Sequence, residues 1–194
     1  ADHYLNNREA YWDALLQGWD GKETETLLSV LGVLLTRDDF SSFSELLGRL
    51  YQAYQKAFGA GAGFINVSGI EEIREVILTK VQARRMSKRK EMLQVLESCA
   101  GLFSEYLFPL CAHEDIWLRR NVCRILAGVG EPVIPGLIQL AMDRKKNWYI
   151  VRNVVMILGD IGSADDTVVH FLRRCQQHPE IRVREEVIST YGKI

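Results

Sequence analysis

Cysteine is scarce in this chain, and long apolar runs are absent. The 194 residues include four cysteines, Cys99, Cys111, Cys123 and Cys175, which are too few and too scattered for a disulfide framework. We expect reduced, buried thiols, because free cysteine packs as a small apolar residue. The longest stretch without a charged residue, Ala57 to Ile70, has 14 residues with four glycines. A bilayer helix needs about 20 apolar residues. The sequence therefore predicts no membrane span, and no signal-peptide pattern opens it.

An excess of charge of one sign is also lacking, since the formal net charge is −1. With 47% hydrophobic and 25% charged residues, the chain has the composition of a globular protein, which excludes disorder along its whole length. The charge is nevertheless distributed unevenly. Residues 1–79 hold 6 Lys+Arg and 12 Asp+Glu, net −6, and residues 80–194 hold 18 and 13, net +5. This asymmetry indicates two sections.

The apolar spacing is helical almost throughout and predicts an all-α protein. Helices are predicted over residues 8–19, 23–36, 40–58, 69–84, 88–103, 106–113, 116–128, 132–143, 148–159, 165–177 and 180–191. Glycine is dense in Gly59-Ala-Gly-Ala-Gly63 and disfavours helix. We therefore predict an N-terminal helical section over 1–58, a linker or bend over 59–63, and a second section over 64–194.

An internal repeat lies in the second section. Leu118, Ile150 and Val183 open segments that overlay at shifts of 32 and 33. Apolar residues recur at offsets 0, 4, 7, 8 and 11, one face of a helix, with Thr190 the polar exception. Three residues before each start lies Asp115, Asn147 or Glu180, of which Asp115 and Asn147 are favoured N-cap types. A fourth copy starts at Met92, only 26 residues earlier. Its second helix must therefore be shorter by more than a turn.

Second helices lie between the copies. Their apolar positions are Ile134, Leu137, Ile138 and Ala141, then Val168, Phe171, Leu172 and Cys175. Each unit is thus a helix A, a turn and a helix B, and neither helix can bury its apolar stripe alone. Stacking of such units predicts a solenoid.

Three segments carry a family resemblance: Asp115–Arg120, Trp148–Gly159 and Ile181–Gly192. They resemble the short HEAT repeat, and the second is similar to bacterial HEAT-repeat proteins of the phycobilisome-lyase-like subtype. The resemblance is clear over 115–194, degenerate over 88–114 and absent over 1–60. It implies an α-α superhelix that binds other macromolecules. Val151 stands where the repeat has the arginine of an aliphatic–Arg pair. The last copy ends after its helix A at Ile194, and from this truncation we expect the chain to be a piece of a longer protein.

Catalytic patterns are not apparent. No GxSxG, HExxH, GxGxxG or Walker sequence occurs, and the pair Cys111/His113 lacks a second pair at a zinc-like distance. The acidic pairs Asp38–Asp39 and Asp165–Asp166 stand at helix starts, where the helix dipole favours them. We therefore expect no enzyme activity, no cofactor and no metal.

The leading hypothesis is a cytoplasmic scaffold that binds protein partners through an extended helical surface. In the resemblance, helix B residues line the inner surface, and the predicted partner-binding residues are Gln139, Asp143, His170, Arg173, Arg174 and Gln177. The truncated C-terminal end is predicted to self-associate.

Two alternatives stay open. One is nucleic-acid binding through the basic groups of residues 80–194, which are Lys80, Arg84, Arg85, Lys88 to Lys90, Arg119, Arg120, Arg124, Arg144 to Lys146, Arg173 and Arg174. The other is a lyase-type or chaperone-like enzyme related to bilin lyases. Trp117 and Trp148 open successive A helices, and packing between neighbouring units is favoured over a ligand-facing role for both.

Overall fold

The computed structural model describes residues 8–17, 24–58, 70–82, 89–143 and 147–194. Over these ranges the protein is all-α, as predicted. The α-helices are α1 Arg8–Leu16, α2 Thr24–Thr36, α3 Phe40–Phe58, α4 Ile70–Gln82, α5 Arg89–Leu107, α6 Ile116–Val129, α7 Ile134–Met142, α8 Trp148–Ile161, α9 Asp166–Cys175 and α10 Ile181–Tyr191. Short 3-10 helices occupy Phe108–Ala112 and Glu131–Val133. The predicted linker over 59–63 lies outside the described residues.

Two compact units make up the chain, Ala1–Leu102 and Phe103–Ile194. In the first, α2 packs against α3 and α4, and α1 packs against α3. Its core contains Trp12, Leu31, Leu35 and Phe43, which are fully buried. An ion pair between Lys80 and Asp38, 2.6 Å apart, joins α4 to the end of α2, so Lys80 is engaged within this unit.

The second unit is a solenoid-like stack of helix pairs. α6, α8 and α10 are the A helices of successive copies, and α7 and α9 are the B helices between them. α8 is central in this unit, because it packs against α6, α7, α10 and the 3-10 helix Phe108–Ala112. Most of the predicted apolar offsets are buried here: Leu118, Val122, Leu126, Val154, Leu158, Val183 and Val187 are fully inaccessible to solvent. Tyr191 at offset 8 and the residues at offset 11, Val129, Ile161 and Ile194, are only partly buried. The periodicity of the sequence is therefore confirmed by packing.

Thr190, the polar exception among the repeated apolar positions, is also fully buried. Its hydroxyl donates a hydrogen bond of 3.0 Å to the carbonyl of Val155 on α8, which satisfies the polar group within the core. Gly159 makes room for it, because a Cβ there would come within 2.8 Å of the Thr190 hydroxyl. The last A helix thus packs closely on the one before it.

The structure differs from the sequence prediction at two local features. The predicted helix over 106–113 is instead the end of α5, kinked at Phe103, followed by the 3-10 helix Phe108–Ala112. Pro109 explains this, because proline disfavours α-helix at the residue before it. Asn147 makes no capping bond and instead donates to the Tyr149 hydroxyl at 3.0 Å.

Candidate functional site

The six predicted partner-binding residues are all exposed in the structure. Gln139 lies on α7 and Asp143 directly follows it. His170, Arg173 and Arg174 lie on α9, and Gln177 follows α9. The apolar residues on the same helices are buried, including Leu137 and Leu172, so the outward orientation of the six agrees with the sequence pattern. We call these six residues the helix-B face.

An open groove of about 740 Å³ lies beside α7. Its lining residues come from the end of α5, the 3-10 helix and α7, and they are Glu105, Phe108, Pro109, Gly136, Gln139, Leu140, Met142 and Asp143. Gln139 and Asp143 of the helix-B face are therefore brought together in one concave site. Arg174 reaches the same helix, because its Nη1 lies 3.9 Å from the Met142 sulfur. The sequence analysis missed Glu105, Phe108, Leu140 and Met142.

The apolar wall of the groove depends on a close approach between Phe108 and α7. A Cβ at Gly136 would come within 2.3 Å of Phe108 Cε2. Only a residue without a side chain lets the aromatic ring lie against this helix. Phe108 is half-buried, Leu140 is half-buried and Met142 is 47% exposed, so apolar surface remains open to a ligand.

Both ionisable residues that line the groove, Glu105 and Asp143, are acidic, and both are exposed. Carboxylates at the edge of an apolar groove favour a positively charged group in whatever binds there. Arg174 adds a positive charge on the Met142 side of the groove.

A second, smaller groove of about 410 Å³ lies between α8 and α10. The Arg182 guanidinium carbon stands 5.1 Å from the centroid of the Trp148 ring, a cation–π distance. Beside it, Arg152 and Glu186 form an ion pair of 2.8 Å. Trp148 thus contacts the next copy, which agrees with the predicted packing role.

One of the basic groups considered for nucleic-acid binding, Arg119, is engaged in a turn, and Arg184 occupies the matching turn of a later copy. Arg119 Nη1 donates to the carbonyl of His113 at 2.6 Å, and Arg184 Nη1 donates to that of His178 at 2.7 Å. In each turn the histidine Nδ1 accepts a hydrogen bond of 3.1 Å from the backbone N–H two residues later. The shared spacing His-x-acid-x-x-x-Arg at 113–119 and 178–184 is a sequence signal for this turn that the sequence analysis missed. Val151 replaces the arginine in the middle copy.

Other basic groups divide into two sets. Lys90, Arg120, Arg124, Arg173 and Arg174 are exposed. The residues 83–88 and 144–146, which hold Arg84, Arg85, Lys88 and three further basic side chains, lie outside the described residues. The structure therefore places Arg173 and Arg174 as the exposed basic pair on a B helix.

The cysteine side chains that the structure describes are buried thiols. Cys111, Cys123 and Cys175 are free and buried, whereas the side chain of Cys99 lies outside the described residues. A hydrogen bond with Cys123, followed by burial, raises the pKa of the Cys111 thiol. Burial raises the pKa of Cys175 to about 11. Among the described residues, no group of three or more His, Cys, Asp or Glu side chains could hold a metal ion.

Comparison with known families found a match for most of the second unit. A family model described as HEAT repeats matches residues 104–192, so this part of the chain is similar to HEAT repeats, which commonly mediate protein interactions through extended surfaces. No curated protein is significantly similar to the chain.

Among the described residues, no single helix is long and apolar enough to cross a membrane. The pair Ile116–Val129 and Glu131–Met142 passes that test together but is bent by 113°.

Proposed function

We propose that this protein is a non-enzymatic scaffold of the HEAT type that binds one or more proteins through its helix-B face. The similarity of residues 104–192 to HEAT repeats supports the class of function. The observation that carries the proposal is the helix-B face itself, whose six residues are exposed on and directly after two successive B helices and reach an open groove.

Affinity in such a surface comes from a few anchoring side chains within a larger area of complementarity. Arg173 and Arg174 are the strongest polar anchors on the helix-B face, because arginine presents a planar fork of donors to carboxylates. Reversing the charge of both arginines therefore perturbs the helix-B face strongly and leaves the buried apolar residues of the B helices unchanged.

Affinity capture with the full chain tests the proposal. The tagged protein, the variant Arg173→Glu/Arg174→Glu and the matched control Arg120→Glu/Arg124→Glu are incubated with lysate of the source organism, and captured proteins are quantified by mass spectrometry. The control makes the same change of charge on helix A. We expect at least one protein that the wild type and the control retain and the helix-B variant loses. Equal retention by all three would reject the helix-B face as the binding surface.

Nucleic-acid binding is the second candidate, favoured by the exposed pair Arg173 and Arg174 in the last turn of α9. Fluorescence anisotropy with labelled single- and double-stranded DNA at low and moderate salt tests it. Phosphate contacts would give a steep loss of affinity with salt, with a slope of about −0.9 per contacted phosphate on duplex DNA. We expect only weak binding. Sub-micromolar affinity at moderate salt that Arg173→Glu/Arg174→Glu abolishes would make nucleic acid the leading partner.

The finer assignments are also proposals. A cytoplasmic location agrees with the expected thiols, and a lyase-like subtype of bacterial type rests on the resemblance of Trp148–Gly159. A lyase-type or chaperone-like enzyme ranks third, because its support is that resemblance alone. Self-association through the C-terminal end is supported by Ile188, which is 74% exposed on α10.

A further inference from the structure

The groove beside α7 coincides with an irregularity in the repeat. Met92 and Leu118 are separated by 26 residues, and Leu118 and Ile150 by 32. The short copy has a five-residue 3-10 helix, Phe108–Ala112, where the next two copies have B helices of 9 and 10 residues. The groove is lined by this short element on one side and by α7 on the other. It therefore lies where a longer B helix would otherwise pack.

The size of the groove suits a short segment. Its volume of about 740 Å³ falls within the roughly 300–1,000 Å³ of sites that enclose a drug-sized ligand. Such a volume accommodates a few residues of a chain rather than the face of a domain.

The chemistry of the groove specifies what such a segment carries. Phe108, Leu140 and Met142 offer partly exposed apolar surface, and burial of an apolar side chain against them is favourable. Glu105, on α5, supplies an exposed carboxylate at one end of the groove, whereas Arg174 approaches Met142 at the end of α7. A cation that follows the apolar side chain toward α5 is therefore complementary to Glu105.

We propose that the groove binds a short segment of a partner protein in which one large apolar residue is flanked by lysine or arginine. The apolar side chain packs against Phe108 and Met142, and the cation pairs with Glu105. The inference rests on the proposed scaffold function and deepens it, because it names the chemical class of the ligand at one part of the surface.

Selection of peptides on the full chain tests this assignment. A phage-displayed library of random twelve-residue peptides is panned against the wild type, and enriched peptides are synthesised with a fluorescent label for anisotropy. We expect an enriched pattern of a large apolar residue next to Lys or Arg. Met142→Lys changes an exposed residue at the groove and should weaken binding by more than about tenfold, the effect of losing an anchor. The matched control Ile116→Lys introduces the same charge at another exposed apolar residue, which is 55% exposed on α6 and does not line the groove, and should leave binding unchanged.

A charge exchange identifies the role of Glu105. Glu105→Lys should weaken the selected peptides about three- to tenfold, as expected for an exposed ion pair at the edge of an interface. Peptides in which the flanking Lys or Arg is replaced by Glu should then bind Glu105→Lys better than the wild type. Circular dichroism of each variant establishes that the helical fold is retained.

Three outcomes would overturn the assignment. They are the enrichment of no peptide, selected peptides without the basic residue, and selected peptides that bind wild type and Met142→Lys equally. If such peptides instead lose binding in Arg173→Glu/Arg174→Glu, the helix-B face still binds proteins and only the groove is rejected. The lysate capture tests the scaffold function separately, so the two failures are distinguishable.

Discussion

Truncation of Leu158 to alanine is the most direct test of the stacked core. Leu158 lies on α8 and is fully buried, and α8 packs against α6, α7 and α10. Buried Leu→Ala changes cost about 2–5 kcal/mol, and the cost rises with the cavity that remains. Because α8 is held by helices of both neighbouring copies, the site can collapse only partly. We therefore expect a loss in the upper half of that range, about 3–5 kcal/mol.

Urea unfolding followed by far-UV circular dichroism and tryptophan fluorescence measures this loss. Two compact units are present, so the analysis must resolve two transitions if they separate. Trp117 and Trp148 report on the unit that contains Leu158. The control Ile116→Ala truncates a residue that is 55% exposed in the same unit and should change stability by less than about 0.5 kcal/mol. A loss below about 1 kcal/mol for Leu158→Ala would refute the repeat register.

Three further results are expected from single changes in the second unit. Arg184→Ala should cost about 1–2 kcal/mol in the same urea experiment, because it leaves the carbonyl of His178 without a charged donor; an unchanged midpoint would contradict the turn. At pH 9, with a pKa of about 11, about one Cys175 thiol in a hundred is ionised in the folded protein, so iodoacetamide should label it far more slowly than in urea, and equal rates by mass spectrometry would reject its burial. Ile188→Lys should abolish concentration-dependent association in sedimentation velocity, whereas a wild type that is monomeric at every concentration would exclude the C-terminal contact.

The fold of the second unit was predictable because its signal is local and repeated. A period of 3.6 residues places Leu118, Val122 and Leu126 on one helix face, and copies of the same pattern must stack to bury that face. Thr190 interrupts the pattern without breaking it, since its hydroxyl bonds to a carbonyl of the preceding A helix. That bond joins residues 35 apart, so the spacing within one helix could not reveal it.

Side-chain partners in the turns were less predictable. Asp115 caps α6 by accepting hydrogen bonds from Trp117 and Leu118, as its residue type suggests. Asn147 is equally favoured by type but makes no such bond, and its amide nitrogen donates to the Tyr149 hydroxyl. Which hydrogen bond a side chain makes depends on its orientation, which residue preferences do not specify.

The outward positions of the candidate site followed from the same periodicity, whereas its concave part did not. Gln139 and Arg173 had to face away from the buried stripe of their helices. The close approach of Phe108 to Gly136 joins two elements that are separated in sequence by the whole of α6, and only packing reveals it.

The groove beside α7 lies next to the copy of the repeat that is shorter than the others. In a solenoid each unit contacts its neighbours, so shortening one B helix changes packing only beside that unit. The 26-residue spacing after Met92 therefore marks the place where α7 retains apolar surface that the regular copies would cover. Met142, at the end of α7, keeps 47% of its surface exposed, although it belongs to a helix whose inward residues are buried. The shortened copy thus coincides with the groove beside α7, where partly exposed apolar surface lies next to the carboxylate of Glu105.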